Sequence, residues 1–280
     1  MMEIGVFIHI HEDTDIMQEF QKIRNMGLRS CQVSIWDTRL YTDENAEAIR
    51  EAQAGTGVNV SALWAGWSGP QVWDFYEGPL TLGLVPGAYR HARLKELLAA
   101  SDFAEKLQVS DVVTHAGFLP ENPNDPDYTG VISVLRYLAG YMKEKGQYFL
   151  FESGQETPTT LVRTIGDVGT GNLGINFDTA NVILYGKANP ADAAGVFGRY
   201  VRNMHCKDGE FPVDGRNLGR EVPLGQGRAN LPQVLQILVN AGYRGPLTIE
   251  REISGEQQIR DIEWARDYLT EILKNLEPRS

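Results

Sequence analysis

Cysteine is scarce in this chain: its 280 residues include only Cys31 and Cys206. Both sit in strand-like runs, so no disulfide framework is expected, and a reducing compartment suits the sequence. Basic charge is also in short supply. Lys and Arg total 26 against 37 Asp and Glu, a formal net charge of −11. A nucleic-acid partner, whose phosphates require a basic surface, is therefore not expected. No apolar run approaches the roughly 18 residues of a membrane span, so no membrane partner is expected either. The opening residues, MMEIGVFIHIHED, lack a basic stretch followed by a long apolar one, and no secretory signal is read there. The expectation is a cytoplasmic protein. Missing as well is the glycine-rich phosphate loop that follows the first strand of dinucleotide-binding sheets. Here that strand runs into HIHEDTD (9–15).

What is present is alternation. Strand-like runs are IGVFIH (4–9), SCQVSIW (30–36), VNVSALWAG (58–66) and DVVTHAG (111–117), then four more between 148 and 252. Helical periodicity lies between them. Residues 15–26 space Ile16, Phe20 and Ile23 by three and four, and 44–54 are rich in Ala and Glu. Residues 90–107, 128–145 and 256–274 repeat Leu, Ile and Val in the same way. Alternating β and α units with apolar strands predict an α/β fold. Eight repeats favour a closed (β/α)8 barrel over an open doubly wound sheet. No linker or low-complexity break divides the chain, so residues 1–280 are read as one domain. Two connections are long. Residues 64–90 hold Trp64, Trp67, Trp73, Phe75 and Tyr76, and residues 207–230 are rich in Gly, Pro and charge. The aromatic group is either a satellite core or a wall that stacks on a sugar ring.

Four residues stand at the downstream ends of consecutive strand-like runs. They are Glu152 in YFLFES (148–153), Asp178 in LGINFD (173–178), His205 in VRNMHCKD (201–208) and Glu250 in LTIERE (247–252). Acidic residues after strands also serve as helix caps. Four ligand-type side chains in four successive slots instead predict a divalent-metal site, because a barrel gathers its strand ends at one mouth. Oxygen-rich ligands with one imidazole suit Mn²⁺, Mg²⁺ or Co²⁺. Alternation along a strand puts Lys207 on the His205 face and Cys206 on the other. Lys207 is thus expected at the mouth, as a substrate contact or paired with Asp208 at the surface. His115, Trp64 and Glu156 are further substrate-contact candidates, with Glu156 alternatively a helix cap. Such an ion chelates vicinal sugar oxygens and acidifies the C–H between them, giving an enediolate. Glu152 and Glu250 then serve as acid and base. Proton return gives epimerisation or isomerisation; loss of a β-oxygen gives lyase or dehydratase chemistry. Lys207, Arg216, Arg220 and Arg228 are read as ordinary charge rather than as a phosphate clamp.

The stretches GLVPG (83–87), THAGFLP (114–120), FESGQETP (151–158), NFDTAN (176–181), MHCKDG (204–209), PLGQG (223–227) and GYRGPLTIERE (242–252) extend over most of the chain. Through them it resembles the xylose-isomerase-like TIM-barrel superfamily of sugar phosphate isomerases and epimerases. The resemblance implies one divalent ion on Glu152, Asp178, His205 and Glu250. Mn²⁺ comes first, with Mg²⁺, Co²⁺ or Zn²⁺ as alternatives. It also implies that Glu152 and Glu250 double as the acid/base pair, and that the substrate is a small carbohydrate. Homo-oligomerisation is left open. Ketose 3-epimerases and endonuclease IV-type enzymes of that superfamily have a histidine where Asn181 stands. The nucleases also use an Asp-x-His pair, where this chain has Asp214-Gly215-Arg216. Both departures count against a nuclease.

Overall fold

The computed structural model describes residues 2–276. Eight parallel strands close into a barrel: β1 (Ile4–His9), β2 (Ser30–Ile35), β3 (Asn59–Ala65), β4 (Asp111–Thr114), β5 (Tyr148–Glu152), β6 (Leu173–Asp178), β7 (Val201–Cys206) and, after a small hairpin, β10 (Leu247–Ile249). Neighbours follow chain order around the ring, and β10 pairs with both β7 and β1 to seal it. The hairpin is β8 (Asp208–Glu210) with β9 (Arg220–Val222), antiparallel. It occupies the second long connection expected above.

Helices α1 (Ile16–Asn25), α2 (Asp43–Thr56), α3 (Gly78–Thr81), α4 (Gly87–Leu107), α5 (Pro126–Glu144), α6 (Pro158–Val168), α7 (Asn181–Leu184), α8 (Pro190–Phe197), α9 (Leu231–Asn240) and α10 (Glu256–Asn275) lie between and around the strands. Side chains set several starts. Asp15 accepts from the Gln18 amide at 2.9 Å, and Thr157 from that of Thr160 at 3.3 Å. Pro158 and Pro190 occupy first-turn positions, where a missing amide proton costs nothing. Helix α6 is not among the helical runs read above, although Leu161, Ile165 and Val168 repeat at spacings of four and three; their burial against the barrel outweighs the weak helix propensity of PTTLVRTIGDV. Strand ends are shorter than the apolar runs. β4 stops at Thr114 and β10 at Ile249, so His115 and Glu250 lie one residue past their strands.

The two faces of the strands differ. Outward residues such as Cys31, Val33, Phe149, Phe151, Ile175, Phe177 and Cys206 join one apolar cluster with Phe20, Ile49, Leu97, Leu135, Leu235 and Leu269 of the helices. Both cysteines are thus buried and unpaired. Inward residues form only a small apolar group, Ala62, Trp64, Val113 and Leu150, with Phe7 and Trp36 against it. The rest of the lumen is polar, with Gln32, Ser34, Asn176, Asn203 and Thr248 all buried.

Asp208 anchors the long connection after β7. Its buried carboxylate accepts from the backbone amides of Gly209, Gly225, Gly227 and Ala229 at 2.8 to 3.0 Å. A Cβ on Gly227 would collide with that carboxylate. Among the described residues no helix is long and apolar enough to cross a membrane.

Candidate metal centre

Glu152 and Asp178 end β5 and β6, His205 is the fifth residue of β7, and Glu250 follows β10 directly. Register aligns them: Asp178 pairs with His205, and Thr248, two residues before Glu250, pairs with His205. All four point into the lumen at its downstream end. One ligand atom from each lies within 4.8 Å of all the others. His205 Nδ1 is 3.0 Å from Glu152 Oε1, 3.2 Å from Glu250 Oε2 and 3.8 Å from Asp178 Oδ2.

Three of the four ligands are held by an atom they do not aim inward, whereas Glu250 turns the same Oε2 toward both His205 and Lys207. Asp178 Oδ1 accepts from the amides of Ala180 and Asn181 at 2.8 and 2.7 Å. Glu152 Oε2 accepts from Asn176 Nδ2. His205 Nε2 lies 2.9 Å from Gln32 Oε1. Asp178 Oδ2 and His205 Nδ1 are buried without a hydrogen-bond partner. Three carboxylates and a ring nitrogen converging on one point, with orphaned lone pairs among them, fit a hard to borderline divalent cation.

The buried carboxylates of this cluster also hold protons on the cations beside them. Burial alone would discharge His205, but Glu152 and Glu250 outweigh it and hold its affinity for a proton well above that of an ordinary imidazole. Burial likewise works against charge on Lys207, yet Glu250, Glu252 and Asp178 keep it protonated far above the usual range. Burial raises Glu152 to about 7. It also acts to raise Glu250, but Lys207 and His205 overcome it and hold that carboxyl well below the usual range.

Lys207 shares the His205 face and reaches the cluster, lying 3.7 Å from Asp178 Oδ2, but it is buried beside the carboxylates and does not line the cavity above them. Its side chain is 1% exposed, with Nζ 3.0 Å from Glu250 Oε2 and 2.7 Å from Glu252 Oε1. No Lys207–Asp208 surface pair forms, because Asp208 is committed to backbone amides. Glu156 is also buried, its carboxyl pushed up to about 8 by burial. It neither lines the mouth nor caps α6, whose cap is Thr157.

Above the cluster lies a cavity of about 570 Å³. Of the four ligands only Glu152 and Glu250 line it; Asp178 and His205 sit beneath. His115 and Trp64 line it too, with ring centroids 5.7 Å apart, and Trp73 approaches His115 to 5.2 Å. The aromatic connection divides between its two readings. Trp67 is a core residue, 1% exposed, under the Arg93 guanidinium and bonded to Thr114 at 3.1 Å. Trp64 and Trp73 form the wall. His115 Nδ1 is 3.0 Å from Gln155 Oε1, and Gln155 Nε2 donates to the Tyr185 hydroxyl at 3.1 Å. Burial lowers His115 to about 3, so its ring is neutral.

Sequence reasoning missed Gln32, Asn176 and Asn203. Only Asn176, in LGINFD, interrupts an otherwise apolar run; Gln32 and Asn203 fall in sequence that alternates polar and apolar residues and carry no such signal. A second cavity of about 550 Å³, by Met2, Leu28 and Leu273, contains none of the four ligands.

A profile of the xylose isomerase-like TIM barrel family matches residues 20–270. A curated relative, an uncharacterized protein of Methanocaldococcus jannaschii, is 26% identical over 188 residues, which cover 62% of this chain and 60% of that protein. Among solved structures, a xylose isomerase domain protein from Planctomyces limnophilus is 37% identical, with 98% of each chain covered and a TM-score of 0.91. A xylose isomerase-like TIM barrel protein from Mycobacterium smegmatis, in complex with magnesium, shares the fold at 17% identity, with a TM-score of 0.72 over 98% of this chain and 97% of that one. A D-tagatose 3-epimerase-like protein does so at 19% identity and a TM-score of 0.74, with 98% of each covered. With its eight-stranded barrel and a match over most of its length, the chain belongs to the xylose isomerase-like TIM barrel family.

Proposed function

We propose that this protein is a divalent-metal-dependent isomerase or epimerase of a small, unphosphorylated sugar or keto-sugar. One observation carries the reading: of the four ligands, the two that reach the cavity are Glu152 and Glu250. They flank His205 from opposite sides, on the ends of β5 and β10, with β6 and β7 between them in the ring. Two carboxylates so placed can remove a proton from one face of a substrate and return one to the other.

A bound ion, Mn²⁺ or Mg²⁺ by the chemistry of the donors, supplies Lewis-acid polarisation of vicinal sugar oxygens. Magnesium in the Mycobacterium smegmatis structure supports a divalent ion in such a barrel, and the epimerase-like neighbour supports sugar chemistry. This chain's residues do the rest. Glu250, fixed by Lys207, and Glu152, fixed by Asn176, exchange protons with the substrate carbon. Neutral His115 bonds a hydroxyl, and Trp64 and Trp73 cover the C–H face of the ring. The charged side chains on the cavity wall are Glu152, Glu250, Glu252 and Arg251. Arg251 is already paired with Glu221 at 2.9 Å and Asp261 at 2.7 Å. A phosphate entering there would meet acidic groups and a cation already engaged, so the substrate is a neutral sugar.

The test is proton NMR in D₂O with the Mg²⁺-loaded protein, against ketoses, keto-inositols, 3-keto-glycosides and their phosphates. Deuterium entering one carbon, with a new isomer appearing, is the expected result for a neutral sugar. A lost hydroxyl or aglycone would replace isomerase with lyase chemistry on the same residues. Exchange confined to the phosphates would overturn the assignment of a neutral substrate.

A further inference from the structure

A hydrogen-bonded chain of side chains runs through the lumen, from its upstream end to the metal ligands. It begins at Asp111 on β4, whose Oδ1 accepts from Arg202 Nε at 3.0 Å. Asp111 Oδ2 accepts from Asn203 Nδ2 at 3.0 Å. Arginine can only donate and a carboxylate facing it can only accept, so the direction of the first link is set. Asn203 must then turn its carbonyl oxygen away from Asp111, toward Gln32, whose Nε2 is 3.4 Å from it. The same Gln32 Nε2 donates to Asn176 Oδ1 at 2.8 Å. Asn176 in turn points its own Nδ2 at Glu152. With its amino group committed to two asparagines, Gln32 has only its oxygen left for His205 Nε2, 2.9 Å away. That ring nitrogen must therefore carry a proton, and Nδ1 is the one that faces Glu152, Asp178 and Glu250.

The geometry points to Gln32 as a positioning residue for the metal: it fixes the His205 ring as the Nε2–H form with Nδ1 directed at the ion, and through Asn176 it fixes Glu152. Gln32 is 0% exposed and touches neither the cavity nor the ligand cluster's interior, so it acts only through these two ligands. Partners of metal-binding histidines are typically worth about 10- to 100-fold in affinity. The inference rests on the metal-site reading, so its test needs one readout that does not involve the ion.

Gln32→Met keeps the length and removes all three bonds; Gln32→Glu keeps an acceptor for His205 and loses the amino group that serves Asn176 and Asn203. Mn²⁺ titration by calorimetry is expected to show about 10- to 100-fold weaker binding for Gln32→Met, with a smaller loss for Gln32→Glu. Imidazole ¹⁵N–¹H NMR of the metal-free protein is expected to show a hydrogen-bonded His205 Nε2–H signal in wild type and Gln32→Glu, absent in Gln32→Met. Wild-type Mn²⁺ affinity in folded Gln32→Met, or an unchanged His205 ring signal in it, would overturn the role. Should Gln32→Met not fold, wild-type affinity in Gln32→Glu would overturn the Asn176–Glu152 branch, and loss of the ring signal there would overturn the His205 branch. If wild type bound no divalent ion, the metal reading would fall by itself, and the ring signal would still decide the His205 bond.

Discussion

Phe177 and Asp178 are neighbours on β6, and their side chains leave opposite faces of the strand. Phe177 enters the apolar shell, 4.9 Å from the Phe197 ring, while Asp178 enters the lumen with one oxygen held by two amides and the other unpartnered. The same division repeats around the barrel: Phe151 against Glu152, Cys206 against His205, Ile249 against Glu250. The shell gains stability by removing apolar surface from water, a non-directional effect that tolerates many side chains of suitable size. The lumen is held by directional hydrogen bonds such as those of Gln32, Asn176 and Asn203, which a substitution of similar size does not replace. Stability and chemistry are thus separated by the thickness of one strand.

The strongest way to break that separation is at the two cavity-lining ligands. Glu152→Gln and Glu250→Gln are each expected to lower turnover by about 10²- to 10⁴-fold, with the fold unchanged by circular dichroism. Near-normal rates with metal bound would refute the acid/base pair. In the shell the expectation is reversed. Phe20→Ala, at a fully buried position of α1, should cost about 3–5 kcal/mol in denaturant unfolding while the folded variant keeps its Mn²⁺ affinity. Chelator treatment joins the two regions. An ion present at about 100 times its Kd adds ~2.7 kcal/mol to the folded state, so its removal should lower Tm; an unchanged Tm would argue against an ion at this site.

The last expectation concerns pH. His115 is neutral when folded, with its pKa lowered from 6.5 to about 3 by burial. Above 6.5 the folded and unfolded forms bind no proton there, and nothing is lost. Below 6.5 the unfolded chain takes up a proton that the folded one refuses, so stability falls as pH drops from 6.5 toward 3. The slope is at most about 1.4 kcal/mol per pH unit. His115→Asn should flatten the Tm–pH curve between pH 6 and 4, and a curve identical to wild type would show that this ring does not set it.

The shell was the legible part. Periodicity in α1, α4, α5 and α10 and the apolar strand runs give the barrel because burial is periodic in both elements. The convergence of Glu152, Asp178, His205 and Glu250 was legible because a carboxylate or imidazole closing an apolar run is conspicuous. The lumen chain was not. Gln32 in SCQVSIW and Asn203 in VRNMHCKD look like ordinary alternation, and only closure of the ring brings β2, β4, β6 and β7 across from one another. Lys207 was placed on the correct face, and its Nζ does reach the cluster, 3.0 Å from Glu250 and 3.7 Å from Asp178; its burial there was not legible, because the carboxylates that enclose it come from separate strands. The hairpin β8–β9 was hidden because its stability comes from Asp208 rather than from any pattern of its own.

That anchor has an evolutionary consequence. Asp208 grips the 209–229 excursion by main-chain amides, a group every residue but proline provides. Apart from Gly227, whose missing side chain makes room for the carboxylate, and Gly225, whose φ of +85° favours glycine, the excursion owes this grip to no particular side chain. Exposed tip residues such as Phe211 and Val213 can therefore be exchanged while the loop stays docked to the barrel. Its backbone already meets the aromatic connection through the bond from the Phe75 amide to the Arg216 carbonyl. The fold thus carries an exchangeable excursion beside a fixed cavity, touching its wall through Leu218 while the cluster beneath is left unchanged.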